Sequence, residues 1–260
     1  MTGRISAGIE RKVAILSRVA DETRLLVRSF FGPSPVALDS LPRGEGGGHC
    51  LVLPGFMACD TSMLPLRQGL NFMGYRTHRW KQGRNRGVDA QTLERIDARI
   101  RYLQRKHEAP IVLIGWSLGG IIAREYAKYA PERVGAVITL GSPLAGDLRQ
   151  LPIARIYEMI AGHRVDQPPV ECSLTAKPPV PTVALYSRRD EVVPFAHAFC
   201  GEAAADHNIE VDCLHLGYPS DARVMRVIDD AIRCYCPEAA PRPAPVPDPA
   251  RSPLVSTQIA

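Results

Sequence analysis

Hydrophobic and polar positions alternate along the chain in blocks that predict strands separated by helices. Short, nearly continuous apolar runs predict buried strands, whereas polar stretches with an apolar residue at every third or fourth position predict surface helices. The predicted strands are His49–Leu53, Tyr75–Trp80, Ile111–Gly115, Val134–Leu140, Thr182–Ser187 and Ile209–Leu214. The predicted helices that join and follow them are residues 62–73, 88–107, Ser117–Tyr129 and 220–234.

Continuous apolar strands joined by helices predict a mostly parallel central sheet with helices on both faces. Right-handed crossovers gather the C-terminal ends of such strands at one edge, where ligands bind. Residues 144–181 interrupt the alternation with a predicted helix at 148–161 and a proline-rich stretch. This interval predicts either a small lid or pocket wall over that edge, or an ordinary crossover helix with a long loop.

The two ends of the chain differ from the predicted α/β domain, which spans residues 31–236. Apolar residues at helical spacing predict an amphipathic helix within residues 1–30, which packs on the domain or docks on a membrane surface or a partner. Residues 237–260 hold seven prolines in 24 positions and predict a disordered tail.

Composition narrows the function classes. The 260 residues fit one domain, and the net charge of +5 is mild. Ten Lys and Arg residues lie between Arg76 and Lys106, which indicates either a solvated helix face or a surface for an anionic substrate or membrane. No zinc-finger spacing or aromatic RNA-binding signature occurs, so we expect no nucleic-acid partner.

Cysteines and the chain start bear on cofactors and location. Seven scattered cysteines do not form a disulfide framework or a zinc site, and we expect no metal and no cofactor. The first residues lack the apolar stretch of a signal peptide, and no 18-residue apolar run occurs. We therefore expect a soluble, cytoplasmic protein, although a chain whose leader had been removed would look the same.

The main chemical signal is Gly115-Trp116-Ser117-Leu118-Gly119, which follows one buried strand and opens a helix. A G-x-S-x-G turn at such a corner exposes the serine Oγ above the sheet, and the flanking glycines let strand and helix approach closely. A serine hydroxyl held there becomes a nucleophile once a base takes its proton. The alternative is a surface Gly-Ser turn.

Two further loops follow strands at the same predicted edge. In Leu53-Pro54-Gly55-Phe56-Met57, the Phe56 N–H is a candidate donor to an oxyanion, together with the Leu118 N–H after the serine. Met57 and Trp116, beside Phe56, would give an apolar wall for an acyl or aryl group. The alternative is a plain Pro-Gly turn.

The loop after strand Thr182–Ser187 carries two carboxylates. Asp190 is favoured over Glu191 as the catalytic acid, because the two valines after Glu191 mark the return of the chain to the core. The alternative is a turn residue or a salt bridge to Arg188 or Arg189. The stretch 83–87, after strand Tyr75–Trp80, carries Asn85 as either a pocket-lining residue or a turn residue.

The chain resembles bacterial α/β-hydrolases of the lipase and esterase kind, close to the inositol-deacylase-like lipases. The matching stretches are "VLPGF", "IGWSLGGIIAREYA", "VITLGSPLAG", "LYSRRDEVVP" and "HLGYPSDARVMRVIDDAI". The resemblance implies an α/β-hydrolase fold and a Ser…Asp…His triad, carried here by Ser117, Asp190 and His215. It also implies Phe56 and Leu118 as oxyanion donors.

Of the histidines after Asp190, His215 is the one that follows the strand Ile209–Leu214 directly. His207 precedes that strand, and His197 lies in a predicted helix near Phe195. We therefore expect His215, at the C-terminal edge, to be the base.

Three function classes remain from the sequence. The first is a serine ester hydrolase for apolar acyl esters. The second is an acyltransferase or thioesterase that uses the same triad, since the acyl-enzyme is common to all of these reactions. The third is a non-catalytic binding protein of the same fold. The resemblance also argues against haloalkane dehalogenase chemistry, because that family has an aspartate where this chain has Ser117.

Overall fold

A computed structural model describes residues 36–105 and 109–243 of the chain. The strands are β1 (Gly44–Glu45), β2 (His49–Leu53), β3 (Arg76–Arg79), β4 (Ile111–Trp116), β5 (Val134–Leu140), β6 (Thr182–Tyr186), β7 (His207–Glu210) and β8 (Arg242–Pro243). The α-helices are α1 (Leu64–Phe72), α2 (Thr92–Gln104), α3 (Leu118–Tyr129), α4 (Ala154–Ala161), α5 (Phe195–Ala198) and α6 (Ala222–Tyr235). The predicted N-terminal helix within residues 1–30 lies outside the described residues.

Six of the strands form one parallel sheet in the order β3-β2-β4-β5-β6-β7. Every residue of β2, β4 and β6 is buried, which explains why these strands are almost continuously apolar. The register aligns Leu53 with Gly115 and Trp116 with Leu140, so the C-terminal ends of the central strands share one edge. The predicted parallel sheet is confirmed.

Helices cover both faces of this sheet, as predicted. Along β2, Cys50 and Val52 point into one core, whereas Leu51 and Leu53 point into the other. Alternation of side chains along a strand accounts for this division. Helices α1 and α6 pack on the first face, and α2 and α3 pack on the second. None of the helices in the described part of the chain has the length and hydropathy needed to cross a membrane.

The prediction for the last strand was wrong in its bounds. Strand β7 covers His207–Glu210, not Ile209–Leu214. Burial still alternates through residues 211–214, which is the pattern that suggested a strand. The ladder of backbone hydrogen bonds between β6 and β7 ends because β6 ends at Tyr186. The next residue, Ser187, contacts the following segment through its side chain and not through its backbone. The Ser187 hydroxyl donates to the Cys213 carbonyl at 2.7 Å.

The helix predicted at 148–161 is two shorter elements. A 3₁₀ turn covers Leu148–Gln150, and α4 begins at Ala154. Pro152 lies between them, and proline disfavours helical conformation in the residue before it.

The prediction that a disordered tail begins at residue 237 places the start of the tail too early. A 3₁₀ turn at Pro237–Ala239 packs on the domain, and the Ala239 carbonyl accepts from the Gly48 N–H at 2.8 Å. Strand β8 then pairs with β1 in a two-stranded antiparallel ribbon. Proline lacks an N–H group, but it is tolerated in an edge strand, where not every backbone N–H has to donate to a neighbouring strand. Residues 244–260 lie outside the described part of the chain.

Candidate active site

Ser117 lies at the corner between β4 and α3, at the C-terminal edge of the sheet. Its backbone is strained, with φ 54° and ψ −121°, a conformation that non-glycine residues adopt rarely. The Ser117 N–H donates to the Leu140 carbonyl at 2.9 Å, which ties the corner to the neighbouring strand β5. The side chain is half-buried and faces a pocket.

The glycines around Ser117 are required by close backbone contacts. A side chain at Gly115 would collide with the backbone of Gly119, and one at Gly119 would collide with the carbonyl of Leu53. Strand, helix and the loop after β2 can therefore meet only because these positions lack a Cβ. This packing confirms the predicted reason for the two glycines.

The loop after β2 lies directly against Ser117. A Cβ added at Gly55 would lie 3.2 Å from the Ser117 Cβ, so the loop backbone is close to the serine. Phe56 and Leu118 line the same pocket as Ser117. Met57 has φ 60°, which turns the chain sharply after Phe56.

Asn85 fastens this loop from beneath. The Asn85 side chain is almost fully buried, and its Nδ2 donates to the Pro54 carbonyl at 2.8 Å. The Asn85 backbone carbonyl accepts from the Met57 N–H at 2.6 Å, and the Asn85 N–H donates to the Ala58 carbonyl at 2.8 Å. Asn85 is therefore neither of the two alternatives that the sequence left open: it is a support of the loop that carries Phe56.

Asp190 and His215 form a buried hydrogen-bonded pair. His215 Nδ1 lies 2.7 Å from Asp190 Oδ2, and the Asp190 side chain is inaccessible to solvent. The other carboxylate oxygen accepts from the backbone N–H groups of Val192 and Val193 at 2.9 and 2.8 Å. Glu191 is exposed. With its lone pairs satisfied in this way, Asp190 can remain an acceptor for the imidazole.

Trp116 links this pair to the serine corner. Its indole Nε1 donates to the His215 carbonyl at 3.1 Å, and the two ring centroids are 5.4 Å apart. Ser117 is the next residue in the chain, so the corner and the imidazole share one support.

Two other ionisable side chains lie close to the Asp190–His215 pair. Burial raises the pKa of Cys213 to about 12 and raises the pKa of Tyr218, so both of these side chains stay neutral.

A pocket opens at Ser117, at the C-terminal edge of the sheet. Most of its walls are apolar. Met57 and Trp116, which the sequence predicts as an apolar wall, are not among its lining residues, and Trp116 is only 5% exposed and packs against the core. Its lining residues are Phe56, Val88, Thr92, Leu93, Ser117, Leu118, Ile121, Ile122, Glu125, Pro143, Leu148, Leu151, Ile153, Tyr157, Val165, Pro168, Val170, Cys172, Leu174 and Val193.

The interval 144–181 supplies one wall of this pocket. It contributes lining residues from Leu148 to Leu174, and Tyr157 of α4 packs on Phe56 with ring centroids 5.1 Å apart. The sequence did not single out Tyr157, because its spacing fits the apolar face of any amphipathic helix. Among residues 36–105 and 109–243, no group of three or more His, Cys, Asp or Glu side chains is arranged to hold a metal ion.

Comparisons with known proteins agree with this architecture. A family model of the α/β-hydrolase fold matches residues 37–162. A pimeloyl-[acyl-carrier protein] methyl ester esterase from Salmonella heidelberg is 32% identical over 101 residues, which are 38% of this chain and 38% of that protein. The match thus spans well under half the length of this curated relative.

Solved structures share the fold at low identity. The esterase domain of a Rhodothermus marinus protein has a TM-score of 0.50 and 22% identity, covering 77% of this chain and 91% of the domain. The Paleococcus ferrophilus monoacylglycerol lipase has a TM-score of 0.50 and 15% identity, covering 72% of this chain and 94% of the lipase. Together with the parallel sheet, these similarities show that the chain has the α/β-hydrolase fold.

Proposed function

We propose that this protein is a serine carboxylic ester hydrolase that acts on apolar acyl esters through an acyl-enzyme. One observation carries the proposal: the strained Ser117 corner shares its Trp116 support with the buried Asp190–His215 pair. Strain of this kind persists where the surrounding structure enforces it, and it is concentrated at active sites. A serine, an imidazole and a carboxylate at one sheet edge are the groups that acyl transfer needs.

In the proposed reaction, Ser117 Oγ attacks the ester carbonyl carbon while His215 Nε2 takes the hydroxyl proton. Asp190 accepts from Nδ1–H, which fixes the tautomer and stabilises the imidazolium. The N–H groups of Phe56 and Leu118 would donate to the oxyanion of the tetrahedral intermediate. His215 then returns its proton to the departing alcohol. Water attacks the resulting acyl-enzyme by the same steps, which releases the acid and frees Ser117.

The walls of the pocket favour an apolar substrate. Aliphatic and aromatic side chains from the sheet edge, α3 and the interval 144–181 surround the space beside Ser117. Burial of an acyl chain there would be favourable by about 0.8 kcal/mol per methylene. The methyl ester esterase named above is a relative whose name also describes ester cleavage, which supports this reaction class.

A product analysis separates hydrolysis from the acyltransferase alternative. The protein is incubated with p-nitrophenyl butyrate in the presence and absence of an added primary alcohol, and the acid and any new ester are quantified. We expect free butyrate to be the main product in both mixtures. A new ester as the main product would assign the site to acyl transfer. No product from p-nitrophenyl or thioester substrates would favour the binding-protein alternative.

The contact between Asn85 and the Phe56 loop gives a further prediction. Asn85→Asp keeps the size of the side chain but replaces the donor to the Pro54 carbonyl with a second acceptor. The loop should shift, and kcat should fall by about 10- to 100-fold with little change in KM, because the oxyanion donor acts mainly in the transition state. Steady-state kinetics with p-nitrophenyl acetate measure kcat and KM separately and so test this expectation.

Asn208→Asp is the matched control. Asn208 is also an amide that fastens a loop, since its Nδ2 donates to the Gly201 carbonyl at 3.1 Å, but it lies near the start of β7. Its kcat should stay within about twofold of wild type, because no transition-state donor depends on that loop. A wild-type kcat in Asn85→Asp would remove the Phe56 loop from the proposed mechanism.

A further inference from the structure

The pocket runs lengthwise along helix α3. Its lining residues on this element are Ser117, Leu118, Ile121, Ile122 and Glu125, whose spacing of three and four residues places them on one face. An α-helix rises about 1.5 Å per residue, so the eight steps from Ser117 to Glu125 span about 12 Å. Glu125 therefore marks the end of the pocket that is farthest from the serine along this helix.

The wall beside Glu125 is firmly attached to α3. It consists of residues 172–176, of which Cys172 and Leu174 line the pocket. Arg124, which is fully buried, donates to the carbonyls of Leu174 and Ala176 at 3.1 and 3.2 Å. Lys128 donates to the carbonyl of Ser173 at 2.6 Å. This wall is held by charge-assisted hydrogen bonds, so a longer ligand meets resistance there.

Glu125 places a charge in a largely apolar lining. It is only 6% exposed, and its carboxylate pairs with Lys128 Nζ at 2.7 Å. An apolar chain that reached this ion pair would exclude solvent from it without offering a hydrogen bond, which is costly. Burial, with the nearby Glu125 charge adding to it, raises the pKa of Cys172 to about 11, so the neighbouring thiol stays neutral.

We propose that Glu125 limits the length of the acyl chain and that the natural substrates are esters of medium-chain acids. A carbon–carbon bond of about 1.5 Å advances an extended chain by about 1.3 Å per carbon, so the roughly 12 Å between Ser117 and Glu125 along α3 would accommodate about eight to ten carbons. This inference rests on the proposed ester hydrolase function.

The test compares p-nitrophenyl esters from acetyl to palmitoyl in wild type, Glu125→Leu and Glu125→Gln. The measured quantity is the ratio of kcat/KM for the tetradecanoyl ester to that for the octanoyl ester. We expect this ratio to be at most about 0.1 in wild type, because the tetradecanoyl ester has six more methylenes, and bringing its apolar chain against a buried charge costs free energy. It should rise about tenfold in Glu125→Leu and less in Glu125→Gln, which keeps the size and the polarity of the side chain.

Glu132→Leu is the control variant, because that glutamate lies outside the pocket with its side chain 65% exposed. Its ratio should match wild type. Equal ratios in wild type and both Glu125 variants would overturn the inference. A series of acetyl esters of longer alcohols that showed the Glu125 effect instead would also overturn it, because the pocket would then hold the alcohol. Failure of the proposed function has a different signature: no ester of any length would be hydrolysed, or hydrolysis would persist in Ser117→Ala.

Discussion

His215→Ala is expected to lower kcat for ester hydrolysis by about 10⁴-fold, because no other group can then take the Ser117 proton. The buried pair with Asp190 at 2.7 Å fixes one nitrogen of the ring and leaves the other for the serine. The protein should still fold, and circular dichroism and the melting temperature check this directly. The kinetic measurement is kcat for p-nitrophenyl butyrate.

Two other histidines after Asp190 provide controls for this substitution. His197 lies in α5 with its Nε2 3.2 Å from the Asp147 carbonyl, and His207 is exposed and stacks on Tyr235. His197→Ala and His207→Ala should each cost less than about tenfold in kcat, since neither ring contacts the acid. A collapse of activity in His207→Ala, with near-normal turnover in His215→Ala, would refute the assignment of the base.

Ser117→Ala is expected to remove ester hydrolysis, with a loss of about 10⁴-fold or more in kcat. The hydroxyl forms the covalent bond in the proposed mechanism, so no neighbouring group replaces it. Alanine fits the same corner, and the melting temperature should change by no more than about 2 °C, because most small changes outside a packed core cost little. Steady-state hydrolysis and a thermal melt measure the two quantities.

Ser40→Ala is the control for Ser117→Ala. The Ser40 hydroxyl is exposed and donates to the Ala37 carbonyl at 2.7 Å, in a 3₁₀ turn that contributes no residue to the pocket. It should hydrolyse esters at the wild-type rate. Retention of even a tenth of the activity in Ser117→Ala would mean that the serine corner is not the site of reaction.

The fold was predictable because burial and sequence pattern are closely coupled in a parallel sheet. Strands β2 and β5 have the bounds that their apolar runs predicted, His49–Leu53 and Val134–Leu140. The glycines at the Ser117 corner were predictable for the same reason, since close backbone contacts restrict the side chain. The sequence placed Asp190 and His215 in loops after strands, and the structure brings those two side chains into contact.

The predictions that failed depended on contacts between distant parts of the chain. The alternation of buried and exposed residues over 211–214 is compatible with a strand. The Cys213 carbonyl, however, accepts from the Ser187 side chain and not from the backbone of a neighbouring strand. Residues 237–239 pack on the domain with a hydrogen bond from the Gly48 N–H to the Ala239 carbonyl, and these two residues are about 190 positions apart in the chain. Trp116 is adjacent to Ser117 in sequence, yet its side chain packs in the core. The local pattern of apolar and polar residues carries no information about contacts with distant parts of the chain.

The central claim is that Ser117 is the nucleophile, and covalent labelling tests it most directly. The protein is treated with a fluorophosphonate, and the modified residue is located by peptide mass spectrometry. If Ser117 is the nucleophile, we expect one phosphonyl group on Ser117, loss of hydrolysis in proportion to labelling, and slow labelling in His215→Ala because the base is missing. Full ester hydrolysis without labelling, or a label on any residue other than Ser117 that accompanies loss of activity, would contradict it.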